Sequence, residues 1–209
     1  GRGHRAGDYR GNCRDRRRPR CRGHPGRGGR NPNERRRDRL GRYGYVHDDW
    51  PLAAYQTVFA LAPGSAEMPS AGRPFTPALV TALVVHGVRV APLVLHTGVS
   101  SLESNEPPQP ERYQLPVSTA DLVNHTHQRG GRVIAVGTTV VRALESATGA
   151  DGSVEAREGW TDLVLGPDRP ARLVDGLITG LHAPDASHLL LLEAVVGPDL
   201  VQRAYDAAV

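Results

Sequence analysis

The chain has 209 residues, with 26 basic residues that are all Arg, 22 acidic residues, 39% from the hydrophobic set and two Cys. Residues 1–42 hold 16 Arg against 4 acidic residues, a balance of +12, and the other 167 residues hold 10 Arg against 18, a balance of −8. No apolar run reaches the ~18 residues of a membrane span or forms a leader, and Cys13 and Cys21 are spaced too widely for a usual zinc site, so a cytoplasmic protein with no membrane span and no metal is expected.

Residues 1–42 contain five hydrophobic residues, Ala6, Tyr9, Cys13, Cys21 and Leu40, and are predicted to be a disordered Arg/Gly-rich arm. Runs such as Arg27-Gly28-Gly29-Arg30 can neutralise phosphates without sequence preference, although Tyr9 alone offers a ring for stacking. Residues 43–209 are apolar enough for one ordinary domain. Tyr43–Val46 reads as a strand, followed by a helix from Pro51 that Pro63-Gly64 breaks. Ser65–Phe75 reads as an ordered loop. Thr76 is a helix cap with Pro77 at the first position, Leu79, Val80, Leu83 and Val84 on one face and Gly87 beyond the end. Val88–Leu95 is predicted to be a strand covered on both faces, ending at His96-Thr97-Gly98.

Residues Ser104–Pro116, with four prolines, read as a loop. A helix capped by Ser118 or Thr119 then runs through Gln128, closed by Gly130-Gly131. Val133–Val136 forms a second buried strand that runs into Gly137-Thr138-Thr139 and a helix reaching about Ala147. Short strands over Ser153–Leu165, a strand over Arg172–Thr179, an apolar helix over Ser187–Val196 and an amphipathic one over Asp199–Val209 complete the pattern. Strands alternating with helices predict an α/β fold with a largely parallel sheet or incomplete barrel, preceded by the basic arm.

In such sheets ligands gather beyond the carboxyl ends of the strands. At Gly137-Thr138-Thr139, backbone N–H groups at a helix start suit an anion or carboxylate. Thr138, Arg142 and Glu145 are spaced for one helix face, which equally suits a cap with a solvated Arg–Glu pair. His96-Thr97-Gly98-Val99-Ser100-Ser101 follows a strand, and His96 can transfer a proton near neutral pH or serve as a structural hydrogen-bonding group. Thr179-Gly180-Leu181-His182 offers the same two readings for His182. Glycine-rich dinucleotide, phosphate-loop and nucleophile-elbow patterns are absent from the domain sequence.

Six ordered segments add a more specific reading. They are Tyr55–Ala60, Pro69-Ser70-Ala71-Gly72 with Phe75-Thr76, His96-Thr97-Gly98, Gly130–Thr139, Val141–Ser146, and Ile178-Thr179 with His182 and Pro184. Together they resemble the S-adenosylmethionine:tRNA ribosyltransferase-isomerase family of queuosine biosynthesis over about residues 43–209. The resemblance implies that S-adenosyl-L-methionine is a ribosyl-donor substrate, that tRNA is the partner and that epoxyqueuosine is the product. His96 and His182 as acid/base groups and Glu145 as acidic company for the sulfonium suit the chemistry it implies and are the catalytic candidates. Ser70, Gly72, Arg73, Thr97, Gly98, Gly137, Thr138, Thr139, Arg142 and Thr179 are the substrate-binding candidates.

Departures from the family pattern mark three segments. Arg73-Pro74 stands where the family has Leu-His, Val99-Ser100-Ser101-Leu102 where it has a residue followed by Gly-Thr-Phe, and Gly180-Leu181 where it has Asn-Phe. A diverged S-adenosylmethionine-using transferase with another acceptor is therefore an alternative, as is an inactive fragment whose basic arm binds nucleic acid. The arm stands where the family has an N-terminal portion and an inserted β-barrel domain, and Val209 precedes the family's aromatic and Gly-Asp ending. A domain truncated at both ends is expected.

Overall fold

The computed structural model describes residues 51–98, 109–182 and 188–208. The arm, the Tyr43–Val46 strand and Ser100-Ser101 lie outside the described residues. The expected helix after Pro51 is instead a single 3-10 turn, Leu52–Tyr55, followed by extended chain at Gln56. A second 3-10 turn spans Ser70–Gly72. Helix α1, Pro77–Val85, starts as expected: Thr76 Oγ1 accepts the Leu79 N–H at 3.1 Å, and Pro77 fills a position that has no intrahelical donor to lose. None of its nine residues is buried.

The apolar run after α1 contributes only β1, Val94–His96. Pro92 lacks an N–H for a ladder, and Val88 and Val90 are exposed, so the expected doubly covered strand is confined to three residues. Its neighbour is β2, Glu111–Leu115, in a segment expected to be loop. Pro110 and Pro116 bracket this strand without entering it. Inside, Tyr113 and Leu115 are buried while Arg112 and Gln114 are exposed, the two-residue period of a one-sided strand.

Helix α2, Val117–Gln128, follows Pro116, whose extended conformation makes it the cap residue in place of Ser118 or Thr119. Thr119 is buried, its hydroxyl donating to Pro92 O. Strand β3, Ile134–Val136, and helix α3, Thr138–Ser146, follow with Gly137 alone between them. Beyond a small hairpin closed by the Thr148–Val154 bridge come β4, Arg157–Thr161, and β5, Gly176–Ile178. Asn124 clamps that hairpin to α2 through both the N–H and the carbonyl of Val154, at 2.8 Å each. Helices α4, His188–Val196, and α5, Pro198–Ala208, end the described chain.

The α/β character holds, but the largely parallel sheet does not. Strands β1, β2 and β4 form an antiparallel sheet in that order, and β3 pairs in parallel with β5, Val136 opposite Ile178. No barrel closes among the described strands. β3 and β5 are separated by α3 and β4, a connection long enough for the two strands to run the same way.

Helix α3 is central. Ala143, Leu144 and Ala147 join Tyr113, Leu115, Ala120, Val123, Val154 and Leu173 in one core, while Val141 joins Ala135, Leu163, Leu165 and Ala194 in another. A helix packed on two sides has little room for the solvated face that spacing alone predicted for it.

Candidate functional site

The carboxyl ends of β3 and β5 lie side by side. Gly137 N–H donates to Ile178 O at 2.9 Å, so the turns Gly137-Thr138-Thr139 and Thr179-Gly180 begin together. Gly137 has φ +101° and ψ 145°, a conformation close to glycine's own region, and it bends the strand directly into α3. Gly137, not a threonine, is the cap residue, and among the described residues no side chain caps the first turn of α3. Its leading N–H groups point along the helix axis with the positive end of the helix dipole behind them. Thr138 is buried there and Thr139 half-buried.

Residues 64–72 connect this turn with the other expected places. A Cβ on Gly64 would lie 2.7 Å from the His96 ring, so that ring packs on bare backbone. Ala66 N–H donates to Thr97 O at 2.9 Å. Ser70 Oγ lies 3.5 Å from the Cβ position of Gly180, and Ala71 Cβ lies 3.8 Å from that of Gly137. The turn at Ser70–Gly72 thus packs against both strand ends. Gly72 is buried with Thr57 and Phe59 3.3 Å from its Cβ position, and Arg73 is exposed just beyond.

His96 Nδ1 and Thr97 Oγ1 are buried without a hydrogen-bond partner among the described residues. Gly98 N–H donates to Glu111 Oε1 at 3.1 Å. His182 accepts or donates through Nε2 to Thr179 Oγ1 at 3.2 Å, and its N–H donates to Tyr205 Oη at 2.9 Å. Burial, and next the nearby His188, hold the His182 imidazole below its ordinary pKa, against an opposing pull from Glu67. His182 therefore favours the neutral state.

Two expected residues have other work. The Arg142 guanidinium is buried: Nη1 pairs with Glu111, Nε donates to Leu163 O at 2.9 Å, and Nη2 donates to Thr161 O at 3.1 Å and Gln109 O at 3.2 Å. Burial lowers its pKa, while Glu111 and Asp162 work in the opposite direction. With all three nitrogens engaged, Arg142 has no fork left for a substrate carboxylate. Glu145 Oε1 accepts the Arg172 and Leu173 N–H groups at 2.6 and 2.8 Å. Neither forms the Arg142–Glu145 pair that their spacing allowed, and the geometry assigns both to anchoring α3.

Glu111, Glu67, His188 and Tyr205 were not singled out from the sequence. Glu111 alone had a local signal, since it starts the alternating stretch of β2. A wide groove of about 680 Å³ runs along β4 and is lined in part by Tyr113, Glu145, Trp160 and Arg169. Of the expected residues it includes only Glu145, whose Oε1 is already engaged, and not Gly137, His96 or His182. The convergent turns are the better candidate because an uncapped helix start lies beside Thr179 and His182 there, next to the 64–72 segment that also contacts His96 and Thr97.

Comparison with known proteins gives this geometry a context. A family model described as queuosine biosynthesis protein matches residues 37–209. The chain belongs to this family. Among the relatives of the queuosine biosynthesis family, the S-adenosylmethionine:tRNA ribosyltransferase-isomerase of Natranaerobius thermophilus is 43% identical over 162 residues, covering 74% of this chain and 47% of the relative. That of Geobacter sulfurreducens is 44% identical over 163 residues, with the same coverage. The crystal structure of S-adenosylmethionine tRNA ribosyltransferase from Thermotoga maritima superimposes with a TM-score of 0.54 at 39% identity, covering 66% of this chain and 45% of that one. The chain spans about half the length of the curated relatives it matches. Among the described residues no helix is long and apolar enough to cross a membrane, and no group of three or more His, Cys, Asp or Glu is placed to hold a metal ion.

Proposed function

We propose that residues 43–209 are part of the catalytic portion of a ribosyltransferase-isomerase that moves the ribosyl group of S-adenosylmethionine onto 7-aminomethyl-7-deazaguanine in tRNA and rearranges it to epoxyqueuosine. Family membership supports the reaction class. The observation that carries the site is the packing of Ser70-Ala71 against both Gly137 and Gly180, which joins an uncapped helix start to Thr179 and His182. In this reading the α3 N–H groups and Thr138 and Thr139 receive the amino-acid carboxylate, without Arg142. Ser70, Gly72, Thr97, Gly98 and Thr179 are assigned the remaining substrate contacts.

The chemistry needs a base for the carbon beside the sulfonium, where positive sulfur acidifies the C–H, and an acid for departing adenine. His182, held toward its neutral form, suits the first role. His96, whose Nδ1 has no hydrogen-bond partner among the described residues, suits the second. Arg73, exposed beside Ser70, favours a second reading in which the acceptor differs.

Incubation with S-adenosylmethionine and tRNA carrying the 7-aminomethyl-7-deazaguanine base should release adenine and methionine, resolved by chromatography. Binding of S-adenosylmethionine without adenine release would point to another acceptor, and absence of binding would remove the reading. Gly137→Ala imposes roughly 1–3 kcal/mol of backbone strain at the turn and should weaken S-adenosylmethionine binding.

A further inference from the structure

His182 lies in a box of groups from four segments. Its ring is flat against that of His188 at the start of α4, with centroids 4.6 Å apart and planes 5° from parallel. Thr179 Oγ1 meets its Nε2, Tyr205 from α5 holds its backbone N–H, and Glu67 from the 64–72 loop acts on its charge. Thr179 Oγ1 also donates to Gly180 O at 3.3 Å. A hydroxyl has one proton. With that proton on Gly180 O, Thr179 accepts the Nε2–H of His182, and the lone pair resides on Nδ1.

We propose that His188 is a positioning residue for His182, its stacked ring keeping the His182 imidazole flat and uncharged while Thr179 holds the Nε2–H tautomer, so that Nδ1 is the nitrogen that takes up a proton. The inference rests on the proposed function only for what that proton is. In the reaction it leaves the carbon beside the sulfonium and arrives on Nδ1, the electron pair remaining on that carbon as an ylide. Two stacked imidazoles cannot both be charged without close repulsion, so His188 opposes protonation of His182, whereas Glu67 favours it. Tyr205 contacts the backbone and fixes the ring's approach without setting its charge.

The sign follows from this arrangement. A lowered folded-state pKa means that His182 stays neutral as the pH falls past the ordinary histidine value of about 6.5, and turnover is lost only at lower pH. Nitrogen-15 NMR titration of the full chain, with the His182 signals assigned by their loss in His182→Gln, reads this directly. The expected wild-type result is a midpoint below that of an ordinary histidine, with the proton of the neutral ring on Nε2. In His188→Phe, which keeps a flat ring without a second charge, and in His188→Leu, which removes the ring, the midpoint should move to higher pH. An unchanged or lower midpoint in His188→Phe, confirmed as folded by circular dichroism, overturns the proposal, as does a neutral wild-type ring protonated on Nδ1. The acid limb of adenine release should move with the midpoint. A midpoint that moves while the acid limb stays fixed supports the His188–His182 pairing and overturns the role of His182 as the base.

Discussion

Removing the Arg142 guanidinium would leave the largely buried Glu111 carboxylate, among the described residues, with the hydrogen bond from Gly98 N–H, and would take one donor each from the carbonyls of Gln109, Thr161 and Leu163. Breaking one side of a buried pair costs more than forming it contributes, because the remaining charge has lost both water and partner. Arg142→Ala should therefore lower the unfolding free energy by about 3–5 kcal/mol, read as a fall in the urea midpoint. Arg142→Met with Glu111→Gln should recover much of that loss, since it removes both charges and keeps the volume. If Arg142 instead gripped a substrate, the single change would spare the urea midpoint and weaken S-adenosylmethionine binding. Sequence spacing placed Arg142 and Glu145 on one face of a helix. It gave no sign that Glu111, 31 residues earlier, would claim the guanidinium, because long-range pairing has no local pattern.

At the scale of elements, α1 and α3 are both nine-residue helices with different dependence on their ends. Helix α1 buries none of its residues, so its first turn relies on Thr76. Thr76→Ala should cost about 1 kcal/mol locally, seen as faster amide exchange across Pro77–Val85 with little change in the global urea midpoint. An unchanged exchange rate would mean that neighbouring chain, not the cap, holds the helix. The same contrast explains what was legible. Caps and breakers such as Thr76-Pro77, Gly130-Gly131 and Gly137 act locally, and the helices they bound were foreseen to within a few residues. Strand β2 was hidden because prolines on both sides suggested a loop, although Tyr113 and Leu115 alternate with Arg112 and Gln114. Sheet direction was misread because alternation of elements was taken for a helical crossover at every step. The motifs of the candidate site could be ordered along the chain, but the 64–72 segment that packs beside them has no periodicity to reveal where it lies.

For the whole molecule the governing feature is segregated charge. The 167 residues from Tyr43 onward carry a balance of −8, which opposes the approach of a polyanion, and residues 1–42 carry +12. The proposed reaction would seat a tRNA wobble base beside this acidic portion, which calls for positive charge close by, and residues 1–42 are the segment of this chain that supplies it in bulk. Association through Arg–phosphate contacts releases counterions, so each contact contributes roughly 0.7–0.9 to the slope of log affinity against log salt. Deleting residues 1–42 should weaken tRNA binding most at low salt and flatten that slope, while leaving S-adenosylmethionine binding unchanged. Filter binding across a salt series measures both quantities. The same affinity and slope after deletion would assign tRNA contact to residues 43–209 and exclude the arm as the source of nucleic-acid binding. A lost slope with adenine release intact at saturating tRNA would make the arm an aid to encounter, since saturation removes the advantage of electrostatic attraction and leaves the chemical step unaffected.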